Sequence, residues 1–482
     1  MTNVDYLVYA LIVVSAVSIL ASISARKSSE TLPGFLLGGR NISTASVSSM
    51  LGSMSFSLNG MVYQMWLGYT IGTIAIIIQF AWTCSFFLLS RHHEQIAESR
   101  SFHSFLGERF GRGTMILAAI LSIVGFTIML GWEFGVARET IGGMLGGNAK
   151  LSAELLVLVT VIVAATYSAL GGIRANAISN LIQNIVKFLC FGTLLYLAFS
   201  VAPKIDSWVP SLGKAIAAIG AIGLLTNIAF SLAWQFVDMS TWYAVTTTDR
   251  SNDPAACKKS LWYGGIFALV APGILGTLLG MSIPKSTSIN PDNVFSQFIL
   301  GMADSPFAMA LVSVAIFATV LALVDGVLLS AAYALVADII YKDKADLVAR
   351  LVQSEHRSDV NHIDANTEGR IILVLRISIF AFAIIGALGI QLVLDHAPLI
   401  NIFTLVYVLI VAQLSLFGPV IIALRRRIDG QIVSMVPPIL GALFVGVAFV
   451  VAGLFSKNDT LLACAGTFTI IASFLLATRR LK

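Results

Sequence analysis

Three ionisable side chains stand inside long apolar stretches of this chain: Lys187 in the run 182–190, Glu133 beside Trp132, and Asp238 in the polar patch that also holds Ser231, Gln235, Ser240, Thr241 and Trp242. A charge in hydrocarbon is costly, about 2.5–3.5 kcal/mol for a lysine at a bilayer centre on insertion scales. Such residues therefore pair, coordinate backbone carbonyls, or handle ions and protons. Asn180 and Lys187 are seven residues apart, two helical turns, which puts them on one face about 10 Å apart along the axis. Lys187 then has two readings: a structural ammonium paired with Asp325 or with carbonyls, or a working group whose change of protonation between conformations would couple a solute to protons. Glu133 either lines a pocket and meets a substrate ammonium or pairs with Arg138. Asp238 either favours an amine- or hydroxyl-bearing ligand, or pairs with a lysine or caps a half-helix.

The elements that hold these groups follow from composition. Of 482 residues, 57% are apolar and 11% are charged. A soluble domain cannot hide that much apolar surface, because its exterior needs polar cover. A bilayer imposes no such need, and a membrane helix takes about 20 mostly apolar residues. Thirteen such spans are predicted: 6–25, 42–71, 73–90, 113–143, 152–170, 175–201, 215–245, 260–282, 305–340, 371–394, 398–424, 432–454 and 458–478. With the N-terminus outside, 22 of the 30 lysines and arginines fall in inside segments and 5 in outside ones; Arg138, Lys187 and Arg376 lie in spans. This is the positive-inside pattern, and it accounts for the net charge of +5 without nucleic acid. It predicts a multi-pass protein of the cell (inner) membrane with a cytoplasmic C-terminus. The first span follows Asp5 instead of a basic segment and reads as a retained helix. Cys84, Cys190 and Cys464 fall in spans and Cys257 in an inside loop, so no disulfide framework is expected. All six histidines are placed in loops, which argues against a histidine relay. The stretch 342–370 reads as a cytoplasmic linker. The amphipathic segment 92–112 (Phe102, Phe105, Leu106 and Phe110 against Glu108, Arg109 and Arg112) is expected at the inner interface.

Two spans are interrupted by polar residues. Span 2 carries a run of small and polar residues over 46–60, which is either a small-residue seam between helices or an unwound stretch lining a cavity. Span 7, five spans later, carries the patch around Asp238, although no Gly or Pro lies between Leu224 and Ala244. Gln413, Ser415 and the Gly418-Pro419 pair of span 11 line a path or mark a kink. Trp234 and Trp242 serve equally as core packing or gating rings.

Several local motifs resemble the sodium:solute symporter family. They are Phe35-Leu36-Leu37-Gly38-Gly39-Arg40 before span 2 and Gly68-Tyr69-Thr70-Ile71-Gly72 at its end; Ser104-Phe105-Leu106-Gly107-Glu108-Arg109-Phe110-Gly111; Thr166-Tyr167-Ser168-Ala169-Leu170-Gly171-Gly172-Ile173-Arg174-Ala175 with Asn180 and Gln183; Phe236-Val237-Asp238 with Trp242; and Val324-Asp325 with Asp338-Ile339-Ile340-Tyr341-Lys342. The resemblance covers nearly the whole chain in order. It implies an all-α membrane protein of the leucine-transporter (LeuT) fold. Spans 2–6 and 7–11 would be two inverted five-helix repeats (42–201 and 213–424), with one helix before and two after, in a single transmembrane unit. Substrate would sit near the midplane between spans 2, 4, 7 and 11, with Asn59, Gly60 and Tyr63 of span 2, Glu133 of span 4, and Asp238 and Trp242 of span 7 as candidates.

For the ion, the resemblance places sodium between the break of span 2 and the middle of span 9. The implied carbonyl positions are Ser53, Phe56 and Thr319, and hard cations take such oxygen ligands. The two implied hydroxyl positions hold Ala322 and Leu323, which have none. A second sodium, bound by an aspartate in some relatives, would meet Asn180, with Asp325 at one of its hydroxyl positions. Both sites look degraded. Some sodium-independent transporters of this fold put a basic residue in the ion site, so the resemblance makes the Lys187 ammonium a built-in substitute for sodium.

The expectation is a secondary active transporter of a small polar solute working by alternating access, a monomer in the bilayer, with no cofactor beyond a coupling sodium ion or proton and no metal centre. An ordinary sodium symporter follows if the span 9 alignment shifts by a turn. A transporter-like sensor acting through a partner is the rival, weakened because the chain ends just after span 13 with no output domain. No metal-binding cluster, phosphate loop or nucleophile motif supports an enzyme.

Overall fold

The computed structural model describes residues 2–146, 150–201, 212–284, 289, 293–343, 365–396, 402–425 and 432–481, and apart from one isolated β-bridge the regular structure there is all helical. Ten helical runs are long and apolar enough to cross a membrane, and eleven if the bent pair Ala221–Val237 and Met239–Thr246 counts as one. The principal helices are α1 (Asn3–Ala25), α2 (Thr44–Ser55), α3 (Leu58–Ile71), α4 (Ala75–Leu89), α5 (Phe102–Phe110), α6 (Arg112–Met144), α7 (Lys150–Val201), α8 (Ala221–Val237), α9 (Met239–Thr246) and α10 (Ala256–Met281). They continue with α11 (Pro306–Ile340), α12 (Asn366–Val393), α13 (Ile402–Leu414), α14 (Phe417–Arg425), α15 (Val436–Ser456) and α16 (Asp459–Arg480). Most of the predicted linker, residues 344–364 with His356 and His362, lies outside the described residues.

Two runs are too long for one crossing. At 1.5 Å per residue, the 52 residues of α7 extend about 78 Å, against a hydrocarbon core of about 30 Å. The chain turns at Gly172 (φ 55°, ψ −153°), a conformation open in practice only to glycine. A Cβ there would also stand 2.9 Å from the Phe35 carbonyl oxygen. Gly72 (φ 60°, ψ −144°) makes the same kind of turn between α3 and α4.

Helix α11 is the central pillar. Its most apolar window is 78% buried, against 28% and 33% for the peripheral pair α15 and α16. It packs on α1, α2, α6, α7 and α12, so nearly every face of it meets protein instead of lipid.

Three expectations change. The segment around α5 is no lipid-facing amphipath: Phe102, Phe105, Leu106 and Phe110 are all fully buried in the protein. Cys257 stands in the first turn of α10, buried, not in a loop. His92, His93, His103 and His396 are helical, and His103 is buried. Gly172→Val should lower stability by about 1–3 kcal/mol, the cost of forcing a side chain into such a turn. A fall in the thermal midpoint of the detergent-purified protein would show it; an unchanged midpoint would mean that α7 does not turn there.

Candidate functional site

The small-residue run of span 2 is a break. α2 ends at Ser55, Phe56 leaves the helix (φ −93°, ψ 49°), and α3 restarts at Leu58 with Ser57 as its N-cap. A helix end leaves backbone groups without partners, and at membrane depth other protein groups must supply them. Two buried charges do so. Lys187 Nζ donates to the Phe56 carbonyl at 2.8 Å, and its ammonium also lies 4.8 Å from the centre of the Phe56 ring. Glu133 accepts from the N–H of Leu58 (Oε1, 2.9 Å) and of Asn59 (Oε2, 2.9 Å). Both side chains are fully buried. A cation at a helix C-terminus and an anion at the next N-terminus each match the local backbone dipole. A charged hydrogen bond contributes about 1.5–3 kcal/mol, comparable to the cost of placing the lysine there.

Neighbours fix the break in place. Asn184 donates to the carbonyl and hydroxyl oxygens of Ser49 (2.8 and 2.7 Å) and accepts from the Ser53 hydroxyl (2.9 Å), stitching α7 to α2. Phe191 and Phe267 pack on Phe56. Trp82 Nε1 donates to Ser55 Oγ at 2.9 Å, and its ring stacks on Trp234. Asn184 and Trp82 carried no flag in the sequence; a carboxamide one turn before the lysine was the available signal.

The other ion-site candidates lie close by. Asn180 Nδ2 reaches the Asp325 carboxylate at 3.3 and 3.4 Å. Tyr167 and Ser179 hydroxyls donate to the same carboxylate at 2.7 and 3.2 Å. No ion pair within 4.0 Å joins Lys187 to Asp325 among the described residues. The Thr319 hydroxyl is engaged with its own helix, at 2.8 Å from the carbonyls of Ala315 and Ile316. Ala322 and Leu323 are buried and bring no oxygen; Ala322 lines a small pocket with Met50, Met54, Asn176, Asn180 and Ser240.

The solute candidates divide into two groups. Asn59 and Gly60 open α3 beside Glu133, and the Tyr63 hydroxyl bonds Asn227 Oδ1 of α8. Asp238 and Trp242 belong to a second break, between α8 and α9, where the two helices bend by 42°. There Asp238 is the N-cap: Oδ1 accepts from the N–H of Ser240 and Thr241 (2.8 and 3.3 Å) and from the Ser240 hydroxyl (2.5 Å). Trp242 is fully buried against Phe102 and Phe105, its Nε1 donating to the Phe236 carbonyl at 3.2 Å. Arg138 pairs with Glu139 and Glu154, at 3.4 and 3.9 Å.

A further charged cluster joins α5 to the end of α11. Arg100 Nη1 lies 2.8 Å from Asp338 Oδ1, which also accepts from Ser101 Oγ, while His103 Nδ1 is 2.8 Å from Asp338 Oδ2. The sequence offered Asp338 only as part of a motif.

No protein-family model matches the chain, and no curated protein matches it. Solved structures do. One is a substrate-bound, outward-open Na+-coupled sialic acid symporter, with TM-score 0.72 at 13% identity over 98% of this chain and 97% of that one. Another is Mhp1, a nucleobase-cation-symport-1 family transporter in a closed conformation with bromovinylhydantoin bound (0.53, 16%, 93% of each chain). A third is a manganese transporter of Eremococcus coleocola (0.51, 13%, 92% and 96%).

Two stability outcomes follow from the geometry. Asp238→Ala should cost about 0.5–2 kcal/mol, the worth of an N-cap, and Asp238→Asn much less; equal midpoints for the two variants would refute the capping role. Asp338→Ala should cost about 3–5 kcal/mol, because it removes the buried carboxylate that Arg100, Ser101 and His103 share; a loss below 1 kcal/mol would show that the shared carboxylate does not hold the cluster together. The three relatives are transporters, not enzymes, and this chain is a multi-pass membrane protein with their fold, the LeuT fold.

Proposed function

We propose that this protein is a secondary active transporter of a small polar solute, working by alternating access, in which the Lys187 ammonium takes the place of a coupling sodium ion. The observation that carries this reading is the 2.8 Å bond from Lys187 Nζ to the Phe56 carbonyl, an oxygen that the family resemblance implies for sodium. It is supported by the two implied hydroxyl positions, Ala322 and Leu323, which offer no oxygen, and by a likeness of fold that extends over nearly the whole chain of a symporter. Sialic acid and hydantoin belong to the relatives and are not transferred here.

The fold would comprise thirteen spans, with Leu58–Glu98 and the α7 run each crossing twice and α2 completing the second span. Spans 2–6 and 7–11 would form the inverted repeats. Breaks at α2–α3 and α8–α9 then take corresponding places, as transporter repeats require. Charge asymmetry puts the N-terminus outside, the C-terminus in the cytoplasm and the protein in the cell (inner) membrane. The solute would meet Asn59, Gly60 and Tyr63 beside the first break.

Uptake of labelled solutes into proteoliposomes, under imposed sodium, proton or no ion gradients, tests the reading. Uptake should not depend on sodium. Lys187→Met should lower it at least about tenfold, the effect of losing about 1.4 kcal/mol. Uptake driven by sodium alone, or unaltered in Lys187→Met, would overturn the substitution. A solute that binds without being carried in would point to a sensor.

A further inference from the structure

The hydrogen bonds at the first break bear on the chemistry of the solute. A half-helix N-terminus in a transporter is a ready site for an anionic substrate group. In α3 that site is full. The N–H groups of Leu58 and Asn59 are held by Glu133, that of Gly60 by Ser57 Oγ (3.2 Å), and that of Met61 by the Ser57 carbonyl (3.0 Å). An incoming carboxylate finds no backbone N–H free in the first turn and meets the Glu133 charge, and like charges at a shared site repel. On the other side of the break, the Phe56 carbonyl already holds the Lys187 ammonium. A cationic group there would meet a like charge in turn.

One buried polar atom at the break has no partner among the described residues. Asn59 is 3% exposed; its Oδ1 accepts from Ser57 Oγ at 2.6 Å, and its Nδ2 is unpaired. Leaving a buried donor unmade is costly. Nδ2 can only donate, so its missing partner is an acceptor oxygen.

We infer that Glu133 is a specificity-determining residue which occupies the anion slot of the broken helix, so that the part of the solute lying against the break is uncharged and offers a carbonyl or hydroxyl oxygen to Asn59 Nδ2. Carboxamides, ureas and polyols fit this pattern; carboxylates and amines do not. The inference rests on the placement of the solute beside α3 made above. Glu133 itself touches backbone, and its charge filters the ligand.

The test is equilibrium binding, read as the thermal midpoint of the full-length protein in detergent. Acetate is compared with chloride at equal ionic strength, for the wild type, Glu133→Ala and Glu133→Gln. Acetate should leave the wild type unmoved and raise the midpoint of both variants, with an apparent affinity at least about tenfold higher than for the wild type. Glu133→Gln keeps the side-chain volume and carries the test if Glu133→Ala does not fold. Acetate that stabilises all three proteins equally, or none of them, overturns the inference. So does any acid that stabilises the wild type more than its own amide does. Binding is read without transport, so an absence of uptake bears on the transport proposal alone.

Discussion

The second span is interrupted in the middle of a membrane protein, and the interruption survives because two buried charges satisfy it. An open backbone carbonyl and two open N–H groups in an apolar surrounding would each cost several kcal/mol. A buried ammonium and a buried carboxylate would cost more. Placed on each other, these groups offset one another: Lys187 on the carbonyl that ends one half-helix, Glu133 on the amides that begin the next. Each side chain meets the backbone group that its own burial needs, and the backbone groups meet the side chains that theirs need.

The two breaks are built differently. At α8–α9 the cap is local, since Asp238 closes α9 from within its own chain segment. At α2–α3 the partners come from α6 and α7, far away in sequence. A shift of α6 or α7 against α2 and α3 must stretch or exchange a charged hydrogen bond, whereas α8 and α9 can move together with their cap intact. The Arg100–Asp338–His103 cluster and the wedge of Trp242 between Phe102 and Phe105 tie the ends of α5, α9 and α11 together.

Around Asp325 the chemistry is of another kind. Its carboxylate is held by neutral donors, the hydroxyls of Tyr167 and Ser179 and the carboxamide of Asn180. The carboxamide of α7 and the carboxylate of α11 thus meet through hydrogen bonds between neutral donors and a single buried acid.

Composition alone determined that this is a membrane protein, because the apolar fraction leaves no alternative solvent, and the helix runs are legible for the same reason: a span is a local property of about 20 residues. The turns at Gly72 and Gly172 were marked only as glycines within motifs. The two breaks were visible as polar residues in apolar runs, but their mechanism was not. Asp238 is an N-cap whose bonds are to its next residues, so its capping role could be read locally and was one of two readings. Whether Lys187 meets Asp325 or a carbonyl, and whether Glu133 meets Arg138 or a helix end, depends on which helices pack together across more than 70 residues of chain. Only the tertiary structure decided that, because a hydrogen bond is a matter of tenths of an ångström between elements whose relative placement no local pattern encodes.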